Sequence, residues 1–287
     1  MNMDSQTISF PPVDLLAFGA HPDDVEMCLG GLLIKMKKQG YRTGIVDLTR
    51  GERGSRGTPD IRAQEMAEAS RILEVDVREN LDLGDTQLAE SYKNILAVAR
   101  VIRKFRPSIL LTSYFQDWHP DHAAAGRLVQ QAFFQARLVN LDLGFPAHYP
   151  RHVYYYPCHQ PIIPTFVVDI TPEFTQKMKA VAAYRSQVFP AGAHSQRTIG
   201  ISDYLFHIES RCRYFGSLIN VEYGEALWVD RPLKLDNPCA PFASCGSEPG
   251  GSGGGGSGGS GGPGGSSGSG SPGCSGGPGR SSGSGGL

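Results

Sequence analysis

The chain has 287 residues, with 27 basic and 28 acidic side chains and a net charge of −1. That balance, with no basic block, argues against nucleic acid or an anionic membrane surface as the main partner. No apolar run approaches the roughly 18–20 residues of a membrane span, and the polar start from Met1 to Phe10 lacks the basic-then-apolar order of a secretory signal.

Residues 13–19 are a short apolar run and predict a buried strand. The loop Ala20-His21-Pro22-Asp23-Asp24 interrupts it. Residues 26–39 carry helical apolar spacing at Met27, Leu32, Leu33 and Met36, with Gly40 to stop the helix. A second strand is predicted over 42–48, then a loop over 49–58 with glycines at 51, 54 and 57. A helix over 59–73 follows, with Thr58 as N-cap and Pro59 in the first turn. The alternation continues with a strand over 77–83, a helix over 91–105, a strand over 108–112 and a loop over 114–120. A long helix over 121–138 comes next, then strands over 152–157 and 165–169, a helix over 172–184 and a last helix over 203–215. Of the 37 glycines, 22 fall in residues 246–287, a stretch of almost only Gly, Ser and Pro. It lacks the apolar surface to offset ordering entropy and reads as a disordered tail. The working unit is a single domain over 8–240.

Strands and helices alternating in this way predict an α/β fold, a mostly parallel sheet with helices on both faces. Ligands in such sheets sit beyond the carboxyl ends of the strands where strand order reverses, between the first and fourth strands in the common order. The two loops richest in histidine and aspartate follow those two strands. Six cysteines without paired spacing support neither a zinc knuckle nor a disulfide framework and fit a reduced cytoplasm.

The two loops are His21-Pro22-Asp23-Asp24 and His119-Pro120-Asp121-His122. One His-Pro-Asp triplet makes a good turn and helix cap. Two copies, each just after a predicted buried strand, point to a shared metal site. Two histidines and one carboxylate with open positions suit a catalytic zinc, and the two loops supply more candidates than the three ligands needed. A further carboxylate is wanted to take a proton from water, and a further histidine to meet a developing oxyanion. The same ligand set also serves iron oxygenases; Asp23 beside it, where hydrolysis wants a base, favours a hydrolase. A sugar-binding protein that had lost catalysis would have replaced Asp23 or His119, and both are present.

These loops, with Gly30-Gly31, resemble the PIG-L/LmbE family of zinc-dependent de-N-acetylases over about residues 13–235. The resemblance implies a Rossmann-like fold, a homo-oligomer and a small-molecule substrate, an N-acetylglucosamine joined to another group. It implies His21, Asp24 and His122 as metal ligands for zinc, or for another divalent metal such as iron. Asp23 takes the place of the general base, His119 that of the acid or oxyanion partner, and Asp121 that of its orienter. Asp47-Leu48-Thr49-Arg50-Gly51-Glu52, then Gly57 to Arg62 with Glu65, and Leu81 to Asp85, resemble the bacillithiol-biosynthesis branch, which removes acetate from N-acetylglucosaminyl-malate. Arg62 reads either as a solvated charge or as a carboxylate clamp, and the resemblance favours the clamp. Tyr204 matches an oxyanion-stabilising tyrosine and equally reads as a packing residue. Gln187, in Tyr184-Arg185-Ser186-Gln187, is a further substrate-binding candidate. The alternative is another amidase or deacetylase of the family, acting on a different glucosaminide or a thiol conjugate. His148, His152, His159, His194 and His207 have no motif support and read as surface or loop histidines.

Overall fold

The computed structural model describes residues 10–189 and 204–234. The ends of the expected 8–240 domain, the start of the last helix at Asp203, His194, Cys239, Cys245, Cys274 and the 246–287 stretch lie outside the described residues.

Strands β1 (Leu15–Gly19) and β2 (Thr43–Asp47) are buried at every position. Successive side chains point to opposite faces of a sheet, so burial throughout requires cover on both sides. Among the described residues β3 (Val77–Asn80), β4 (Ile109–Ser113), β5 (His152–Tyr156), β6 (Phe166–Asp169) and β7 (Gly224–Val229) complete one sheet, in the order β3-β2-β1-β4-β5-β7-β6. The strands from β3 to β5 run parallel. Strand β7 is antiparallel to both β5 and β6. On one face α1 (Asp24–Lys38), α2 (Pro59–Leu73), α5 (Phe174–Ala182) and α7 (Tyr204–Ser217) close over Leu29, Leu33, Leu73, Val181 and Ile208. On the other, α3 (Tyr92–Phe105) and α4 (Pro120–Gln135) close over Phe18, Val98, Ile102 and Leu128. A short α6 (Arg185–Val188) follows α5. The α/β architecture with a mostly parallel sheet is the one expected from the alternation of elements.

Local chemistry sets the boundaries. Helix α2 has the predicted limits, and Thr58 Oγ1 accepts the Ile61 N–H at 3.2 Å. Helix α4 ends at Gln135, short of the expected 138. There the buried Arg103 guanidinium draws the carbonyls of Ala136 (2.9 Å) and Leu141 (2.6 Å) toward itself and fixes the chain in a turn away from the helix axis. Strand β7 was not anticipated, because its Glu225 breaks the apolar run. That carboxylate is buried and accepts the N–H groups of Gly31 (2.9 Å) and Leu32 (2.6 Å) in α1, and Lys177 Nζ at 2.6 Å.

Gly31 explains how α1 approaches so closely. A Cβ there would stand 2.7 Å from two atoms of Ile170. Gly31→Ala is therefore expected to destabilise the fold by about 1–3 kcal/mol through overpacking. Urea unfolding checks this; an unchanged midpoint would mean that Ile170 moves aside freely.

Strand order reverses at β1, whose neighbours are β2 and β4. The chain leaving β1 enters residues 20–24, and the chain leaving β4 enters residues 114–122. Both His-Pro-Asp loops thus open onto the β1/β4 crevice, the usual ligand position in an open α/β sheet.

Candidate active site

The first loop turns sharply into α1. Asp23 sits at φ 118°, ψ −27°, a left-handed conformation unusual for any residue but glycine. Such strain, when it persists in a buried loop, marks places where side-chain position outweighs backbone comfort. The turn is held by the His21 N–H, which donates to Asp24 Oδ2 at 2.8 Å. The second loop turns into α4 with His119 as N-cap, and His119 Nδ1 accepts the Asp121 N–H at 3.3 Å.

The folded loops meet. His122 Nε2 lies 3.2 Å from Asp24 Oδ1, and His21 Nδ1 lies 3.5 Å from Asp24 Oδ2. One nitrogen or oxygen from each of His21, Asp24 and His122 falls within 4.8 Å of the others. The remaining nitrogens face carboxylates. His21 Nε2 is 3.2 Å from Asp85 Oδ1 and 3.3 Å from Asp121 Oδ2, while His122 Nδ1 is 3.6 Å from Asp117 Oδ1. A carboxylate behind each imidazole is the usual support of a metal-ligating histidine.

The electrostatics agree with a cation site. Burial lowers the basicity of His21 and His122, yet the surrounding carboxylates outweigh it. His21 is raised well above the ordinary range, and His122 is raised to about 10, chiefly by Asp24 and Asp117. Asp24 is held well below the carboxylate range, against burial, by His122 and His21. A field that draws protons onto two buried imidazoles also favours a divalent cation in their place. The donor set of two imidazoles and one carboxylate therefore fits a divalent metal.

Asp23 lies beside this set. Burial pushes its carboxyl up to about 7, with Arg62 opposing and Asp24 adding to the rise. Arg62 is buried, with Nη2 3.7 Å from Asp23 Oδ2 and donating to Gln187 Oε1 at 2.6 Å. Gln187 Nε2 in turn donates to the Arg56 carbonyl at 2.9 Å. The pair Arg62 and Gln187 thus ties the glycine-rich loop to the Asp23 turn.

One cavity of about 340 Å³ collects these groups. His21, Asp23, Asp24, Arg62, His119, His122, Gln187 and Tyr204 all line it. Asp121 stands behind the lining. Its Oδ2 accepts the Thr86 N–H at 2.7 Å and contacts His21, so the carboxylate expected to orient His119 is set against the His21 ring.

Sequence reasoning missed several contributors. Asp117 accepts the N–H groups of His119 and His159, both at 2.9 Å, and so organises the second loop. Its place two residues before His119 was the available signal. His159 and His207, read as loop or surface histidines, line the cavity instead. His159 stacks on His122 with ring centroids 4.9 Å apart, and only the fold brings these residues together.

The family profile described as PIG-L, GlcNAc-PI de-N-acetylase, matches residues 16–133. A diacetylchitobiose deacetylase from Thermococcus kodakarensis is 33% identical over 196 residues, which cover 61% of this chain and 70% of that protein. A 4-oxalmesaconate hydratase from Pseudomonas putida is 25% identical over 259 residues, covering 81% of this chain and 95% of that protein. The crystal structure of a conserved protein from Thermus thermophilus superposes with a TM-score of 0.71 at 38% identity, over 78% of this chain and 97% of that one. The profile match runs from β1 into α4 and so takes in both His-Pro-Asp loops; together with these likenesses it establishes that the chain belongs to the PIG-L family.

Proposed function

We propose that the protein is a metal-dependent N-deacetylase of a glucosaminide, and that its substrate is N-acetylglucosaminyl-malate, as in bacillithiol biosynthesis. The observation that carries the deacetylase reading is the buried His21–Asp24–His122 set with the buried Asp23 carboxylate beside it in the same cavity. Zinc, or another divalent cation, would be held by His21, Asp24 and His122. When bound, it supplies Lewis acidity that makes nearby water and the acetamide carbonyl more reactive.

The chain's own residues do the rest. Asp23 takes a proton from the attacking water as the general base. Burial, with positive charge at His122 and His21, lowers the His119 basicity below its ordinary value and favours the neutral ring. Because its Nδ1 accepts the Asp121 N–H, the neutral ring carries its hydrogen on Nε2. That hydrogen is available to the oxyanion of the tetrahedral intermediate. Burial raises the Tyr204 phenol well above its ordinary value, so it stays protonated and serves as a second donor.

Acetate release from a panel of N-acetylated glucosaminides, with and without chelator, tests this reading. Chelator-sensitive acetate release supports it. Chelator-resistant release, or water addition to an unsaturated acid without acetate release, as the name of the Pseudomonas relative suggests for that protein, would refute it.

The malyl group is tested through Arg62. A guanidinium fork matches a carboxylate in two contacts, and charge-assisted hydrogen bonds contribute about 1.5–3 kcal/mol. Arg62→Ala is expected to lower kcat/KM by roughly 10- to 100-fold more for N-acetylglucosaminyl-malate than for an uncharged N-acetylglucosaminide. Equal losses on both would assign Arg62 to Asp23 and Gln187 alone.

A further inference from the structure

Two thiols that the proposed chemistry does not use face each other in the wall of the cavity. Cys28 lies one helical turn beyond Asp24 on α1, and Cys158 follows β5. Both are free, both line the cavity, and their sulfurs are 3.6 Å apart. Arg211, from α7, fixes the two segments. Its Nη1 donates to the Cys158 carbonyl at 2.6 Å, and its Nη2 donates to the Met27 carbonyl at 2.7 Å and lies 3.5 Å from Cys28 Sγ. Burial alone would push the Cys28 thiol up, but the Cys158 S–H and the Arg211 guanidinium outweigh it and hold Cys28 down at about 7. Burial pushes Cys158 well up. One sulfur is set as the nucleophile and the other as its thiol partner, the division found in oxidant-sensitive cysteine pairs.

We infer that Cys28 and Cys158 are an oxidation site, closed to a disulfide by a peroxide that enters the cavity, and that closure disables the adjoining metal site. In the first step the Cys28 sulfur attacks a peroxide oxygen. The S–O bond forms, the O–O bond breaks, and the departing hydroxide takes up the proton Cys28 had released. In the second step the Cys158 sulfur attacks the Cys28 sulfur. The S–S bond forms and the S–O bond breaks, and the Cys158 proton leaves with the hydroxide as water. The two sulfurs lose two electrons, the two peroxide oxygens gain them, and two waters result.

A disulfide needs a sulfur separation of about 2.05 Å, so closure brings the two sulfurs about 1.5 Å closer than their 3.6 Å and pulls on the segments that carry them. One segment is α1, which carries Asp24. The other includes His159, whose N–H holds the Asp117 carboxylate behind His122. Closure therefore strains the supports of both sides of the ligand set. Weakening such supports typically costs about 10–100-fold in metal affinity.

The test uses the full chain, loaded with zinc and treated with hydrogen peroxide, beside Cys28→Ser and Cys212→Ser. Non-reducing peptide mapping reads the linkage with no substrate present, so it stands even if the deacetylase reading fails. Expected is a Cys28–Cys158 linked peptide in the unmodified chain and in Cys212→Ser, with zinc affinity at least about tenfold weaker. Dithiothreitol should restore that affinity, and Cys28→Ser should keep it throughout. Absence of the linked peptide, or equal zinc loss in Cys28→Ser, overturns the oxidation site. A linkage that leaves zinc affinity unchanged overturns its effect on the metal site.

Discussion

Asp23→Asn is expected to keep its bound metal and lose turnover by about 10²–10⁴-fold, the usual contribution of general-base catalysis. Asparagine is the informative replacement. It fills nearly the same volume, and it shares with aspartate the tolerance for left-handed backbone that φ 118° demands. The loop should therefore fold as before, and the buried neutral amide relieves the burial penalty and the like-charge repulsion from Asp24 and Glu26 that now raise the Asp23 carboxyl. What the amide cannot do is accept a proton. Acetate-release kinetics, metal content and thermal melting measured on the same preparation separate the alternatives. Lost turnover with metal and melting temperature retained assigns Asp23 as the base. Lost metal would instead make Asp23 a ligand.

Much of this was legible in the sequence, and the reason is periodicity. The strands β1 and β4 are short apolar runs, and α2 is bounded by a Thr-Pro cap, so their positions follow from local rules. The paired His-Pro-Asp loops were legible because each lies in the loop that leaves one of those strands. Other features depend on distant partners. Strand β7 hides behind Glu225, which is buried only because Lys177 and two amide groups of α1 meet it. The Asp121 carboxylate turns to His21 because the Thr86 N–H draws its Oδ2 there. Cys28 and Cys158 carry no spacing signal, since the sheet order alone brings β5 next to the β1–α1 turn by way of β4. Local chemistry thus indicated which residues would meet at the cavity. The outer ring that supports them (Asp85, Asp117, His159 and Arg211) is set by topology.

That outer ring gives the second large effect its control. His122→Ala is expected to lose most of its bound metal, because it removes one of the three proposed donors and leaves the Asp24 and Asp117 carboxylates without the imidazole between them. Removing a supporting group typically costs about 10–100-fold in metal affinity, so removing a ligand should cost more than about 100-fold. Asp117→Asn supplies the graded comparison, since its Oδ1 lies 3.6 Å from His122 Nδ1 and it acts through that ring. Competition with a chelating dye orders the two variants. The assignment requires His122→Ala to bind far more weakly than Asp117→Asn, with Asp117→Asn in turn weaker than the unmodified chain. Stoichiometric metal in His122→Ala would remove His122 from the ligand set. A greater loss in Asp117→Asn would move the ion to the other side of the same ring, where Asp117, His122 and Cys158 also converge.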